Sequence, residues 1–338
     1  MPETTRARLR VRLRSLIAAE APGALYADLL ADAARALGPG DPLLLDIRCH
    51  QEIAASRGRA PRASLEAWTA LRDAAARALP ETDRTFAEIE SQHVRLLRIY
   101  GEFGALDEIV RRRTRRLELL AADGANEDGA NEDMAGRART DLSVALVDRG
   151  RFGRLDPLVA DPRPEEDLRE AWDLAAAETG RRAAAFAPDH PFTWHARSVA
   201  CAAQVSLALH RGKEAELDAA LETTDAQVDH LRRSRYRHDA LMRARLRRAE
   251  VLDALGRHQD AEREARFVSD QWLHRVEGFD PGHALLVLAR TQAARSPADA
   301  LGNAELALEY RRKEFPERGH RVAEASELVE ALRGASAR

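Results

Sequence analysis

The residues best equipped for chemistry are concentrated in one short stretch, DHPFTWHARSVACAAQ, at 189–204. It contains an aspartate, the histidines His190 and His195, and Cys201, which is one of the two cysteines of the chain. These side-chain types bind metal ions, and they also provide the bases and nucleophiles of covalent catalysis. The stretch therefore raises the hypothesis of a metal or catalytic site.

The spacing within this stretch favours a different interpretation. On a helix that turns about 100° per residue, His195 and Cys201 point about 120° apart, so they do not converge on one ion. His190 lies at or before the start of that helix. Asp189 or His190 is suited to cap it, and proline is tolerated in a first turn. We therefore interpret the stretch as a structural joint between two helices.

No other segment carries a stronger sign of catalysis. Cys49 and His50 are neighbours, but adjacent residues of a helix point in different directions, so a nucleophilic dyad is not expected and Cys49 is predicted to be buried. The sequence contains no H-E-x-x-H, G-x-S-x-G, C-x-x-C or G-x-x-x-x-G-K-[ST] pattern. The prediction is a non-catalytic protein without a cofactor or a metal.

The composition favours helices and a cytoplasmic protein. Hydrophobic residues make up 45% of the 338 positions, whereas aromatic residues, which favour strands, make up 5%. A net charge of −3 provides no global field that attracts nucleic acid or anionic membranes. Because the N-terminus lacks an apolar signal core and no run of about 18 apolar residues occurs, we expect neither secretion nor a membrane span. The dominance of arginine over lysine is typical of a GC-rich, actinobacterial genome.

Regular polar breaks indicate a repeat architecture. Neighbouring breaks such as RYRHD and GFDPGH recur about 40 residues apart in most cases, and a second break such as LGRHQD divides most units into two helices. Spacings of three and four between apolar residues give each helix one apolar face. Two pairs of small residues, Ala203 with Ala215 and Ala249 with Ala261, share a 12-residue offset that suits close helix packing. The predicted fold is an all-α superhelical solenoid of about seven helical hairpins.

The regularity of the breaks also suggests domain boundaries. Residues 1–38 are predicted as an N-terminal helical pair, either an imperfect repeat or a cap, and 39–123 as degenerate repeats. The tandem pentapeptide GANEDGANED at 124–133 has glycine and acidic residues, which favours a mobile surface loop. Residues 134–319 are predicted as clearer repeats, and 320–338 as a capping helix with a tail.

These helix pairs, with their GR turns and DHP-x-T joint, resemble tetratricopeptide repeats of the kinesin-light-chain type. In bacteria such repeats are abundant in actinobacteria and often follow NB-ARC-like ATPase modules, for which this chain has no phosphate-binding motif. The resemblance covers about residues 39–333 and is specific from about 134. Matching positions in the joint and in the two turns are Asp189, His190, Pro191, Thr193, Ala196, Arg197, Gly212, Glu214, Ala215, Gly256, Arg257, Glu262 and Ala265.

The resemblance implies a scaffold that binds a protein or peptide in a groove lined by the first helix of each pair. Positions of the family pattern that face this groove fall here on Arg137, Arg197, Gln204, Arg243, Glu250, Asp253, His283 and Arg290. Several are arginines, whose planar guanidinium suits carboxylates, so an acidic peptide or a C-terminus is the predicted ligand. The alternative is that Arg243 and Arg290 pair with Glu250 and Asp253 within the chain.

Two other functions remain open at this point. Arginine clusters at 6–14, 111–116, 232–237 and 243–248 suit a nucleic-acid regulator if they align, or solvated helix faces if they pair with acidic residues. A scaffold that holds a small molecule or assists a neighbouring enzyme is the second alternative, and a closed apolar pocket would indicate it. The sequence does not identify the partner or the oligomeric state.

Overall fold

The computed structural model describes residues 3–56, 61–122, 130–187, 189–233, 238–272 and 280–336, and they form helices and short connections without a strand. The α-helices are α1 (Glu3–Ala18), α2 (Gly23–Ala36), α3 (Pro42–Ala55), α4 (Pro61–Ala78), α5 (Arg84–Tyr100), α6 (Ala105–Ala122), α7 (Ala130–Phe152), α8 (Pro164–Ala185), α9 (Pro191–Arg211), α10 (Glu214–Arg233), α11 (His238–Ala254), α12 (His258–Trp272), α13 (Pro281–Gln292), α14 (Pro297–Glu314) and α15 (His320–Ser336). A 3-10 turn, Gly153–Leu155, follows α7. No helix in these ranges combines the length and the apolarity needed to cross a bilayer.

From α1 to α5 and from α7 to α15, helices that are consecutive in the chain pack against one another, as α7 does on α8 and α13 on α14. Each unit is thus built from successive helical hairpins. This arrangement confirms the predicted fold class, an all-α tetratricopeptide-like array of helical hairpins. It also explains the sequence pattern, because a helix with one apolar face must bury that face against a neighbour.

The chain divides into two compact units. Unit 1 comprises 1–101 and 115–126, and unit 2 comprises 102–114 and 127–338. The core of unit 1 contains Trp68 and aliphatic side chains of α2, α3 and α5. In unit 2 the core is built mainly from alanine, valine and leucine of α9 to α15. The small side chains allow the helices of unit 2 to approach closely.

Glycine makes the tight turns inside two of the hairpins. Gly212 follows α9 with a φ of 64°, and Gly256 follows α11 with a φ of 74°. A positive φ is costly for residues with a Cβ atom, so glycine is the expected residue after a helix end. The turns that were predicted at these glycines are present.

Two sequence predictions need correction. Helix α7 begins at Ala130, so the last four residues of the loop predicted at 124–133 are helical. Its residues 124–129 lie outside the described residues. The predicted core partner Ala215 is exposed, whereas Ala203, Ala249 and Ala261 are buried.

The beginning and the end of unit 2 contact each other. The backbone N–H of Phe103 donates to the carbonyl oxygen of Arg318 at 2.7 Å. Arg154, in the turn after α7, donates both terminal nitrogens to the carboxylate of Glu327 on α15, each at 3.0 Å. We call these two interactions the closure contacts. They bring the first helices of unit 2 next to its last helix.

Candidate functional site

The stretch at 189–204 is a helix joint, as predicted. His190 Nδ1 accepts a hydrogen bond from the backbone N–H of Phe192 at 3.3 Å, which caps α9. The ring of His190 stacks on Phe186 with a centroid separation of 4.5 Å. His195 is exposed, whereas Cys201 is buried in the core. Among the described residues, no group of three or more His, Cys, Asp and Glu side chains is arranged to hold a metal ion.

The two cysteines are buried rather than poised for catalysis. Cys49 lies in the core of unit 1, and Cys201 lies in the core of unit 2. Burial raises the pKa of both thiols above the usual value, which disfavours the reactive thiolate. The Nε2 atom of His50 lies 3.6 Å from a carboxylate oxygen of Asp46. This environment agrees with a structural role for Cys49.

The best candidate for a binding site is a cavity of about 470 Å³ in unit 2. Alternate helices of this unit, from α7 to α15, contact one another and form its inner face. The cavity lies where α7, α9 and α11 end, and α8, α13 and α15 complete its wall. Its lining residues are Gly150, Arg151, Phe152, Arg154, Leu155, Pro164, Leu168, Ser206, Leu209, His210, Glu250, Asp253, Ala254, Val287, Arg290 and Glu324.

Glu250 is one of two buried carboxylates that line this cavity, the other being Glu324. The Oε1 atom of Glu250 accepts a hydrogen bond from Arg151 Nη2 at 2.6 Å, which joins α11 to α7. Burial alone raises the pKa of Glu250, but the neighbouring positive charges, that of Arg151 first, outweigh it, so the pKa lies below the usual value. The ring of His283 lies 3.7 Å from Glu250, and burial lowers its pKa to about 4. At neutral pH, Glu250 is therefore ionised and His283 is neutral.

A second cluster of charged side chains surrounds the buried Arg311, and two of its members also line the cavity. Arg311 donates to Asp280 at 2.8 Å and to Glu324 at 2.8 Å. Arg290 donates to the other oxygen of Glu324 at 2.7 Å, and Arg321 donates to Asp280 at 2.7 Å. We call these five residues the Arg311 network. It fixes Arg290 and Glu324, which line the cavity, relative to the core.

Two polar atoms in the wall of the cavity have no hydrogen-bond partner among the described residues. They are Glu250 Oε2 and Ser206 Oγ, and both are buried. Arg247 Nη1, whose charge also acts on Glu250, is a third buried atom of this kind. Buried polar groups are normally paired, because an unpaired one loses its hydration without compensation. Glu250 Oε2 and Ser206 Oγ, which belong to lining residues, therefore have hydrogen-bonding capacity that the described chain does not use, whereas Arg247 lies outside the lining.

Of the eight predicted groove residues, three line the cavity, one contacts a lining residue, and four lie elsewhere. Glu250, Asp253 and Arg290 line the cavity, and His283 contacts Glu250. The other four lie on α7, α9 and α11 outside the lining, and they are Arg137, Arg197, Gln204 and Arg243. Of these, Arg197 lies over the ring of Trp194, 5.0 Å from its centroid.

Arg290, Glu250 and Asp253, for which pairing inside the groove was considered, have other partners in the structure. Arg290 pairs with Glu324. Glu250 pairs with Arg151, and Asp253 pairs with His258 at 2.8 Å. Arg290 thus pairs with a residue of α15 rather than with the acidic residues of α11. Those two acidic residues pair with residues of α7 and α12.

Five polar residues of the cavity were not predicted from the sequence, namely Arg151, Arg154, Ser206, His210 and Glu324. Arg151 and Arg154 lie in the segment DRGRFGR, which is recognisable only as a turn. Ser206 occupies an unremarkable position in an apolar run, and Glu324 belongs to the helix predicted as a cap. One feature of the sequence does indicate Arg151 and Arg154: they flank the glycine of a turn at the end of an inner helix.

The arginine clusters are largely paired within each unit. In α6, Arg111 and Arg112 pair with Glu108, and in α11, Arg245 and Arg248 pair with Glu264. Residues 234–237 of one cluster lie outside the described residues. On α1, Arg8, Arg10 and Arg14 are exposed, and no hydrogen bond or ion pair joins them to another described residue.

Comparisons with known proteins do not assign a function to this cavity. No family model matches the chain, and no curated protein matches it. Among solved structures, the chain is similar to the crystal structure of the P58(IPK) TPR domain, with 15% sequence identity over 98% of this chain and 99% of that one. The TM-score is 0.30, so this likeness supports no further argument. The packing of its own helices shows an all-α array of successive helical hairpins.

Proposed function

We propose that this chain is a non-catalytic scaffold that binds a protein or peptide segment at the cavity of unit 2. The observation that carries the proposal is the cavity itself, since it combines six charged side chains with two buried polar atoms that lack a partner in the described chain. Its volume of about 470 Å³ suits one or two side chains of a bound segment. A binding site on the inner face of a repeat array also uses surface that no single hairpin provides.

The finer expectations from the sequence belong to the same proposal. An acidic segment would have to displace Glu327 from Arg154, whose ion pair is the most exposed of those at the cavity. A cytoplasmic location is proposed because the two cysteines are free, as is usual in a reducing compartment. The kinesin-light-chain-like subtype rests on the quoted sequence motifs, and the actinobacterial origin rests on those motifs and on the dominance of arginine over lysine.

The other two functions have weaker support. A small-molecule scaffold was expected to have a closed apolar pocket, whereas charged side chains line the cavity of unit 2. A nucleic-acid regulator would have to use the exposed arginines of α1, because those of α6 and α11 are largely paired with acidic residues. Its binding would fall steeply as salt rises.

The test uses a variant that fills the cavity without removing a core contact. Ala254 lines the cavity and is exposed, so Ala254→Trp should obstruct the cavity and leave the fold intact. Ala215→Trp is the matched control, because Ala215 is also an exposed helical alanine of unit 2 but lies outside the lining.

The full chain and both variants are used to capture proteins from a cell extract treated with nuclease, at low and moderate salt. We expect a defined protein that binds the natural chain and Ala215→Trp but not Ala254→Trp. Equal capture by both variants would show that the partner binds elsewhere. Retention of nucleic acid alone in untreated extract, lost as salt rises, would favour the regulator instead.

A further inference from the structure

The hydrogen-bonding capacity of the cavity indicates which chemical group enters it. The arginines that line it are already paired, Arg151 with Glu250, Arg154 with Glu327 and Arg290 with Glu324. A ligand carboxylate would compete with these acids, and a ligand ammonium would enter beside three guanidinium groups. Because bringing an unbalanced charge into a partly buried site is costly, the arrangement favours a neutral polar group.

The unpaired atoms define what that group must offer. Glu250 Oε2 is a carboxylate oxygen and accepts hydrogen bonds only, so it requires a donor. Ser206 Oγ belongs to a hydroxyl group, which donates as well as accepts. The two residues are on adjacent inner helices, α11 and α9, and both line the cavity. A group with an N–H donor and a carbonyl acceptor complements this pair.

We propose that the cavity of unit 2 binds a primary carboxamide, the side chain of a glutamine or asparagine in the bound segment. Its NH₂ group donates to Glu250 Oε2, and its carbonyl oxygen accepts from the hydroxyl of Ser206. The inference rests on the proposed function and specifies the ligand group at the same site. It departs from the acidic ligand that the arginines suggest in the sequence.

Arg151 prepares Glu250 for this role. By holding Oε1 at 2.6 Å, it fixes the carboxylate plane and leaves Oε2 as the oxygen without a partner in the described chain. The closure contacts keep α7, which carries Arg151, close to α15 on the other side of the cavity. The acceptor is therefore positioned before a ligand binds, which reduces the entropic cost of binding.

Methyl NMR of the full chain provides a direct test. Leu155, Leu168, Leu209 and Val287 line the cavity and serve as reporters, whereas Leu29 in the core of unit 1 serves as a remote reference. The probes are N-acetyl-glutamine methylamide and the corresponding methionine and glutamate derivatives, which have similar size. Free glutamine is a fourth probe and distinguishes a free amino acid from a residue of a peptide.

We expect the blocked glutamine to shift the cavity methyl signals and not that of Leu29. The methionine and glutamate derivatives should bind at least about tenfold more weakly, because a site built for hydrogen bonds discriminates against analogues that cannot form them. Ser206→Ala should weaken binding of the glutamine probe at least about threefold. Ser143→Ala should not, since the hydroxyl of this buried serine already donates to the carbonyl of Arg139.

Several results would overturn the inference. Equal binding of methionine would show that the cavity recognises only shape, and tighter binding of glutamate would show that its arginines accept an anion. An absence of shifts with every probe would mean that water fills the cavity. Tighter binding of free than of blocked glutamine would indicate a small-molecule ligand. If Ser206→Ala does not fold, the three blocked probes still decide the question, and capture by the Ala254→Trp variant tests the proposed function separately.

Discussion

Arg311 and Asp280 form an ion pair in the interior of unit 2. Arg311 Nη2 lies 2.8 Å from Asp280 Oδ2, and its Nε atom donates to the same oxygen at 3.1 Å. The side chains are only 1% and 6% exposed. Arg311 also donates to Glu324 and to the carbonyl oxygen of Arg321. One guanidinium group on α14 therefore connects the start of α13 to the start of α15.

Loss of Arg311 should destabilise unit 2 strongly. Arg311→Met leaves the carboxylates of Asp280 and Glu324 buried with fewer partners, and breaking such a pair typically costs about 3–5 kcal/mol. Arg312→Ala is the matched control, because Arg312 forms an exposed pair with Glu317 that is worth at most about 1 kcal/mol. Urea denaturation gives both free energies of unfolding. Similar values for the two variants would show that Arg311 is not a central support of this unit.

Stability should decrease as the pH falls from about 6.5 to about 4. Burial lowers the pKa of His283 and of His320 to about 4, so both stay neutral in the folded chain while they become protonated in the unfolded chain. The unfolded state then binds more protons, and each histidine lowers the free energy of unfolding by about 1.4 kcal/mol per pH unit in this window.

Urea denaturation of the double variant His283→Gln/His320→Gln checks this assignment. Its unfolding free energy should depend less on pH between about 6.5 and 4, whereas that of His195→Gln, at an exposed position, should follow the natural chain. Below about 4.5 a further loss is expected in all variants, since the pKa values of Glu250 and Glu324 also lie below the usual range. An unchanged pH dependence in the double variant would contradict the assignment to these histidines.

The two thiols should report the opening of the two units separately. Cys49 is buried in unit 1 and Cys201 in unit 2, and burial raises the pKa of both. In the native protein we expect both to react with a thiol reagent at least about a thousandfold more slowly than in urea. Mass spectrometry of labelled peptides assigns each rate to its unit. Rapid labelling without denaturant would show that the surrounding core opens readily.

Trp68 should be the most sensitive aromatic position of unit 1. Its side chain is 1% exposed, and its Nε1–H group donates to Ser56 Oγ at 3.1 Å. Trp68→Ala should cost about 3–5 kcal/mol, whereas Trp172→Ala, at a side chain that is 40% exposed, should cost much less. Hydrogen exchange of peptides from α3 to α5 measures the effect of Trp68→Ala, and exchange of peptides from α7 to α9 measures that of Trp172→Ala. Unchanged exchange in Trp68→Ala would contradict the role of this tryptophan in the core.

The local patterns of the sequence predicted helices and turns well, but distances along the chain predicted contacts poorly. Ala215 was paired with Ala203 by a fixed offset, yet it is exposed. When the hairpins are aligned on Gly212 and Gly256, the residues that correspond to Ala249 and Ala261 are Val205 and Leu217, and both are buried. The turn glycine, rather than the spacing of small residues, sets the register of each hairpin.

The candidate site was predictable only in part for a related reason. The groove positions implied by the resemblance to tetratricopeptide repeats include Glu250, Asp253 and Arg290, and all three line the cavity. The partner of Glu250 is Arg151, which is 99 residues away. Such a contact depends on the angles at which successive helices cross, and these angles accumulate over several hairpins. No pattern within a single repeat contains that information.

The closure contacts have a consequence for the evolution of this chain. An open repeat array gains or loses a unit easily, because each unit contacts only its neighbours. In unit 2, duplication of one hairpin would separate Phe103 from Arg318 and Arg154 from Glu327. The number of hairpins in unit 2 is therefore constrained by geometry. Change in length should be accepted in the connections between helices, while gain or loss of a whole hairpin should be selected against.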